Sequence, residues 1–257
     1  MEEKRKVIWT GIVFVLLLAV VIVIYYLVTH KKSPQVPETP EVVEKEPVKL
    51  PEQEKVKEEP TEPISIPLEE SDEFIRGLID KMSSDPRISE WMKTDHIIKK
   101  FVAAVDNIAN GLSPRKQIDF FEPKADFIAK PKEDFYIIDE DSYKRYNPVA
   151  NAFDSLNAQE AVHLYLRFDP LIQEAYKDLG YPDKDFNETL KRAIEELLAV
   201  PVIKEDIRLI SKLKSFELED SELEGMSQAQ KHLFRMGPEN ISKIQDKLRE
   251  LKKELEN

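Results

Sequence analysis

The longest uninterrupted hydrophobic stretch of the chain runs from Val7 to Val28 and contains no charged residue. A helix over these 22 residues would be about 33 Å long at roughly 1.5 Å per residue, which matches a bilayer hydrocarbon core of about 30 Å. Trp9 at one end and Tyr25 and Tyr26 at the other suit the headgroup regions, and no small-residue cleavage pattern follows. The pattern therefore predicts an uncleaved transmembrane helix.

Basic residues flank this predicted span on both sides. Lys4, Arg5 and Lys6 precede it, and Lys31 and Lys32 follow it. Because an excess of Lys and Arg marks the cytoplasmic side, the short head is expected inside the cell. In a bacterium, the chain would then be a single-pass protein of the inner membrane with its soluble part in the periplasm.

Residues 33 to 67 have the composition of a disordered linker. They contain eight prolines, nine glutamates and four lysines, without a glycine or an aromatic residue. So few apolar groups do not offset the entropy lost on folding, and closely spaced prolines favour extended polyproline II. The segment is interpreted as a spacer. A docking role for the P-x-x-P pattern at residues 34 to 37 is the alternative.

The helical period appears next, in two amphipathic patterns. Ser71 and Asp72 are predicted to cap a helix that ends near Met82. Thr94 is predicted to cap a second helix, which Asn110 and Gly111 close.

Further helices follow in the C-terminal half. Asn157 and Glu160 resemble a capping box that opens a helix running to Gly180, which Pro170 is expected to kink or divide. Three more helices are predicted, over residues 185 to 200, over residues 227 to 236, and from Pro238 onward.

The β signal is weaker. Prolines and an apolar run at residues 135 to 138 predict irregular chain with one or two short strands between residues 112 and 141. A strand is also predicted over residues 212 to 218, paired with residues 135 to 138. The predicted fold class is mainly α: a transmembrane anchor in residues 1 to 32, the linker, and one compact helical domain with a small β element in residues 68 to 257.

The last helix carries apolar residues at near-heptad spacing, namely Ile241, Ile244, Leu248, Leu251 and Leu255. A stable coiled coil needs three or four heptads, and this seam spans about two. Packing on the domain's own core is the first interpretation. A homodimer through this helix is the alternative.

Charge is distributed unevenly along the chain. The total is −12; residues 1 to 32 carry +3 and the linker −5, which leaves −10 for the domain. Because the domain has no basic block, nucleic acid is not expected as a partner.

Motifs of common catalytic and metal sites are missing. The chain has no cysteine, no G-x-S-x-G elbow, no P-loop and no G-x-G-x-x-G, and its four histidines are far apart. Glu160 and His163 alone have a ligand-like helical spacing, in a single copy where di-iron bundles need two. No catalytic residue, metal site or cofactor is therefore predicted.

Two groups of residues are candidates for a binding surface. Tyr and Arg suit partner sites, so an aromatic and basic group could line a groove for a glycan or a peptide. Its members are Tyr143, Arg145, Tyr146, Tyr165 and Arg167. The second candidate runs from Arg235 to Asn240, where amides at a helix start could hold an anion. Core packing and helix capping are the competing explanations.

Four segments in order resemble a known family. They are F-V-A-A-V-D-N-I at residues 101 to 108, Y-N-P-V at 146 to 149, Q-E-A-Y-K-D-L-G-Y-P at 173 to 182 and R-M-G-P-E-N at 235 to 240. Over about residues 68 to 255 the chain resembles a family of Gram-negative bacterial proteins catalogued as a domain of unknown function, number three thousand and fourteen. The resemblance implies a bacterial inner-membrane protein with an N-terminal span and no assigned activity, and no catalytic residue follows from it.

The sequence favours a non-enzymatic envelope module that binds a protein or a cell-wall partner, with membrane lipid contacted through Val7 to Val28. An envelope hydrolase or transferase is one alternative. A TonB-like transducer is another, although such proteins use a Ser and a His inside the span and the stretch here has neither.

Overall fold

The computed structural model describes residues 62–118, 123, 125–213 and 215–256. The predicted transmembrane helix and most of the predicted linker lie outside these residues. Within the described ranges, no helix is long and apolar enough to cross a bilayer.

The described chain is mainly helical, as predicted, with a small antiparallel sheet. A 3-10 turn at Leu68–Glu70 leads into the first helix. The α-helices are α1 (Ser71–Met82), α2 (Pro86–Trp91), α3 (Ile97–Ala109), α4 (Glu140–Lys144), α5 (Asn147–Asp154), α6 (Ala158–Asp178), α7 (Phe186–Leu198), α8 (Ser221–Glu224), α9 (Gln228–Phe234) and α10 (Pro238–Glu256).

The core forms where α3 packs on α6 and α7 while α10 packs on α5 and α6. Aromatic rings link these helices: Phe101 of α3 meets Phe186 of α7 edge-on at 5.5 Å, and Tyr176 of α6 meets Phe186 at 5.1 Å. The Tyr176 hydroxyl is hydrogen-bonded to Thr189 Oγ1 at 2.8 Å, so the buried phenol is satisfied. One apolar core therefore joins helices from both halves of the described chain.

The heptad-like residues of α10 lie in this core. All five of them, Ile241, Ile244, Leu248, Leu251 and Leu255, are buried. The seam therefore packs within the chain, as the first interpretation had it. A homodimer through this helix stays a prediction.

Several helix caps are as predicted. Asn157 caps α6 by accepting the Glu160 N–H at 3.0 Å, although the predicted box is half formed, since the Asn157 N–H donates to the Met82 carbonyl at 2.8 Å. Ser227 and Gln230 form a full capping box on α9. Pro170 was expected to kink or divide α6. The second alternative was wrong, since α6 runs unbroken from Ala158 to Asp178. Leu171 and Ile172 are buried directly after the proline, so packing holds the helix together across it.

The caps predicted for α1 and α3 were wrong. Ser71 is the first residue of α1, and its hydroxyl donates back to the Leu68 carbonyl of the 3-10 turn at 2.6 Å. The N-cap of α3 is His96, not Thr94, and the His96 side chain makes no capping bond. Asp72 accepts the N–H groups of α3 instead, from the neighbouring helix.

The sheet has the strand order β1 (Ala129–Lys132), β2 (Phe135–Ile138), β3 (Arg208–Ser211) and β4 (Phe216–Leu218), and every pairing is antiparallel. The strand predicted over residues 212 to 218 was placed wrongly. Its first half is the hairpin turn, where the Lys212 N–H donates to the Ser215 carbonyl at 2.8 Å. Strand β3, not β4, pairs with β2, through Tyr136 opposite Leu209.

Ordered contacts begin before residue 68. Ile64 is buried, and its N–H donates to the Arg167 carbonyl of α6 at 2.8 Å. The end of the segment predicted as linker is therefore fixed to the domain.

Candidate functional site

A cleft of about 670 Å³ opens where the sheet meets α4 and the first turn of α10. Lys130 of β1, Tyr143 of α4 and Asn240 of α10 contribute to its lining, together with the segment that precedes β3 at residues 203 to 207. Its shape depends on residues that are more than 90 positions apart in the chain, Tyr143 and Asn240 among them.

Asn240 of α10 forms hydrogen bonds to residues at α4 and α5. Asn240 is 2% exposed, and its Nδ2 donates to the carbonyls of Met236 at 2.8 Å and Tyr143 at 3.0 Å and lies 3.1 Å from Asn147 Oδ1. Three acceptors around Nδ2 fix the orientation of the amide. Asn240 Oδ1 is buried and has no hydrogen-bond partner among the described residues.

Gly237 and Tyr143 meet directly at the start of α10. Gly237 has a φ of +84°, a conformation that suits glycine. A Cβ placed on Gly237 would lie 2.6 Å from Tyr143 Cδ1, so only a residue without a side chain fits against the ring. Burial, with a smaller contribution from Asp206, raises the pKa of Tyr143 to about 12. Tyr143 is therefore neutral over the physiological pH range.

Arg145, which directly follows α4, contacts residues on both sides of the end of this helix. Its guanidinium donates to the Ser142 carbonyl at 2.9 Å and to the Tyr146 hydroxyl at 3.3 Å. It also lies over the rings of Tyr146, at 4.9 Å, and Phe127, at 5.6 Å. These contacts use the guanidinium within the domain and hold α4 against the start of the sheet.

A group of cations surrounds His232 of α9. Burial lowers the pKa of His232 to about 3, and the nearby charges of Arg235, Arg115 and Lys231 add to the effect. Burial also lowers the pKa of Arg235. Burial works against ionisation of Glu224, yet the Lys231 ammonium at 2.7 Å and the Leu218 N–H together lower the pKa of that carboxyl. The cluster thus holds an ion pair next to a neutral histidine.

The structure divides the seven candidate residues into two places. Tyr143, Arg145, Tyr146, Arg235 and Asn240 lie around α4 and the junction of α9 and α10. Tyr165 and Arg167 lie on α6, elsewhere. Tyr165 is buried, and its hydroxyl is 2.5 Å from Asp169 Oδ1 and 2.9 Å from Asn187 Oδ1. Arg167 lines a cavity of about 10 Å³ with Glu160 and His163.

Sequence reasoning missed most of the cleft. Lys130 and Asp206 line it without any motif to mark them, and Asn147, which also lines it, falls in the Y-N-P-V segment but was not singled out as a site residue. The one available signal was the Gly237-Pro238 pair, which indicated a tight turn at a helix start. Within the ranges that the structure covers, no group of three or more His, Cys, Asp or Glu could hold a metal ion.

A second cleft, of about 900 Å³, lies along α1. Glu69, Glu73 and Asp95 make its lining acidic. Arg76 and Asp72 in its wall are engaged within the domain, since Arg76 donates to the Met92 carbonyl at 2.8 Å and Asp72 caps α3. This surface is wide and charged, without a buried polar group left unsatisfied in it.

Fold and site define a mainly helical domain with a small antiparallel sheet and a polar cleft between them. The chain belongs to the family described as protein of unknown function (DUF3014), whose model matches residues 97–252, more than half of the chain. This confirms the resemblance seen in the sequence. No curated protein and no solved structure matches the chain. The match begins where α3 begins, so the cleft at α4 and α10 lies within it, and the residues that line the α1 cleft all lie before it.

Proposed function

We propose that this chain is a binding module of the bacterial envelope, anchored in the inner membrane by Val7 to Val28 and extended on its Pro/Glu/Lys segment into the periplasm. In this proposal the folded domain holds a protein or cell-wall partner in the cleft at α4 and α10. The domain contributes recognition, and no chemical step is assigned to it.

One observation carries the proposal. Asn240, which lines the cleft, has a side-chain oxygen, Oδ1, that is buried and has no hydrogen-bond partner among the described residues. Buried acceptors in folded proteins are nearly always paired, and an exception calls for an explanation. A concave polar site with an unused acceptor suits a ligand that supplies the missing donor.

Photo-crosslinking tests the cleft directly. A photoreactive phenylalanine analogue replaces Ser242, which lines the cleft, or Lys253, which is exposed near the end of the same helix. Full-length protein in living cells should form a defined crosslinked product from position 242 and not from position 253. Equal products from both positions, or none from 242, would remove the cleft as a binding site.

Membrane topology is tested by cysteine labelling. The chain has no cysteine, so single cysteines at Glu3 and at Lys253 report without background. A membrane-impermeant maleimide added to cells with a permeabilised outer membrane should label position 253 and leave position 3 unlabelled. The reverse pattern would place the domain in the cytoplasm.

A further inference from the structure

We infer that the α1 cleft is a self-association site, which receives the tip of the β3–β4 hairpin from a second copy of this chain. The inference is independent of the proposed function, since it uses neither the cleft at α4 and α10 nor a foreign partner. Its basis is an exposed leucine between lysines on the hairpin and an open, acidic surface on α1.

The hairpin tip, residues 212 to 215, presents a fully exposed apolar side chain. The Lys212 N–H closes this turn on the Ser215 carbonyl at 2.8 Å. Leu213 in the turn is 98% exposed, and the next most exposed large apolar residue of the described chain, Leu112, is 49% exposed. A single exposed leucine is common on protein surfaces, so the inference depends on the surface that receives it.

The hairpin tip is also basic. Lys212 precedes Leu213, and Lys214 follows it in the sequence. Lys212 forms an ion pair with Glu217 at 3.1 Å, but both side chains are nearly half exposed, and such surface pairs contribute little. Two lysines against one glutamate leave a net positive charge beside the exposed leucine.

The α1 cleft has the opposite charge. Among the described residues that line it there are five carboxylates, no lysine and a single arginine, Arg76. The Arg76 guanidinium is shared between Asp72 at 3.8 Å and Asp95 at 3.6 Å. Glu70 and Glu73 are exposed and form no ion pair within the described ranges. The lining thus has unpaired carboxylates and no unpaired cation, which favours a cationic partner surface.

Gly77 leaves room for an apolar side chain in the same cleft. It is exposed on α1, and a Cβ built on it would meet nothing within 4 Å. Glycine in a helix interior is less stable than alanine, so packing within the domain does not account for it. A second chain that lies close against the helix backbone does account for it.

Phe74 and Leu78 make this part of the cleft apolar. Both line it, and Phe74 is 41% exposed while its ring packs edge-on against Phe168 at 6.2 Å. In the proposed contact, Leu213 of a second copy lies over Gly77 beside these side chains. Its neighbouring lysines then face the unpaired carboxylates of the cleft.

The contact is heterologous, because the tip and the cleft lie on different elements of the chain. One copy contributes its tip and the next contributes its cleft, so the copies are joined head to tail. A single hairpin tip buries a small area, and contacts of that size are weak. Crosslinking is therefore the suitable way to trap this contact.

Isotope-mixed photo-crosslinking tests the contact. A photoreactive phenylalanine analogue replaces Leu213, where it keeps an apolar side chain, in the full-length chain in detergent micelles. Chains labelled with ¹⁴N and with ¹⁵N are mixed and irradiated. Crosslinked peptides that join position 213 to residues 66–78 should include pairs of one light and one heavy peptide, which only a contact between copies produces.

The other products each contradict the inference. Crosslinks from position 213 to detergent alone would indicate that the tip faces the membrane. Crosslinks that stay within one copy, crosslinks to another part of a second copy, or no product at all would also overturn it.

Charge reversal assigns the contact to the cleft. Glu73→Lys, at an exposed position, should reduce the yield of the mixed product by roughly fivefold or more. Glu256→Lys, exposed at the far end of α10, should leave the yield unchanged. Equal yields from the two variants would mean that the tip does not bind this cleft.

The head-to-tail arrangement has a control of its own. If Glu73→Lys is on the photoreactive chain and the other chain is unmodified, the tip still meets an intact cleft and the mixed product should return. If Glu73→Lys is on the receiving chain alone, the mixed product should stay low. Equal yields from these two mixtures overturn the inference. The Ser242 crosslink tests the proposed function on a different face, so the two can fail separately.

Discussion

Asp72 of α1 caps the helix that begins 25 residues later at Ile97. Its Oδ1 accepts the Ile97 N–H at 2.8 Å and its Oδ2 accepts the His96 N–H at 2.6 Å. His96 itself has a φ of +58°, so the chain turns sharply just before α3. A carboxylate at this point also meets the positive end of the helix dipole. One side chain thus fixes both the start of α3 and its position against α1.

Removing this carboxylate should destabilise the domain. Asp72→Ala leaves two N–H groups of α3 without their acceptor, and we expect a loss of about 1 to 2 kcal/mol in the free energy of unfolding. Asp72→Asn keeps one acceptor oxygen and should lose less. Urea unfolding followed by circular dichroism measures both.

Asp95→Ala is the matched control, because the Asp95 side chain is 85% exposed. It should change stability by less than about 0.5 kcal/mol. An Asp72→Ala variant as stable as this control would show that the two hydrogen bonds contribute nothing net.

Local signals in the sequence predicted the caps that lie next to their own helices. Asn157 and Ser227 each act within three residues, and such patterns are visible without tertiary information. Asp72 acts on another helix, so its own neighbours favoured a cap for α1. The strand prediction for residues 212 to 218 was misplaced for a related reason. The apolar period continues through the β3–β4 turn, although Leu213 in that turn is 98% exposed.

The site shows the same division. Tyr143, Arg145 and Tyr146 are close in sequence, so residue type alone placed them together. Asn240 was assigned to a helix start, yet its hydrogen bonds to Tyr143 and Asn147 cross more than 90 residues. Tyr165 was grouped with the tyrosines by type, although it is buried on α6, where its hydroxyl donates to Asp169.

Gln245 is a second cap that acts across the fold. Its Nε2 donates to the carbonyls of Leu197 at 3.0 Å and Val200 at 2.9 Å, at the end of α7. Gln245→Leu would remove the donor from the Val200 carbonyl and one of the two donors from the Leu197 carbonyl, which also accepts the Val200 N–H at 3.3 Å, at a cost of about 1 to 3 kcal/mol. The same substitution at exposed Lys253 should be nearly neutral, and urea unfolding of the two variants would separate lost hydrogen bonds from a general effect of leucine on α10.

Three glycines offer a comparison of packing with backbone strain. Gly77→Ala, in the exposed face of α1 with nothing within 4 Å, should stabilise the domain by about 0.4 to 1 kcal/mol. Gly180→Ala has open space but a φ of +114°, so it should destabilise through strain alone.

Gly237→Ala combines a φ of +84° with the collision against Tyr143 and should be the most damaging of the three. Thermal unfolding of all three variants gives the order. If Gly237→Ala were no worse than Gly180→Ala, the Tyr143 ring would have to move freely, and the packing at the start of the cleft would be looser than the distances indicate.

His232 should make the domain less stable in mild acid. Its pKa falls from 6.5 to about 3 on folding because the ring is buried beside Arg235, Arg115 and Lys231. Below pH 6.5 the unfolded chain therefore binds a proton at His232 that the folded chain does not bind. The contribution of the neutral imidazole to the free energy of unfolding is present above pH 6.5 and is lost as the pH falls toward 3. Between pH 7 and pH 5 the loss is on the order of 2 kcal/mol.

His232→Gln removes the titrating group. Urea unfolding at pH 7 and pH 5 should show a smaller difference in the free energy of unfolding for the variant than for the wild type. Equal differences would mean that the imidazole takes up a proton as readily in the folded domain as in the unfolded chain, and that burial does not lower its pKa.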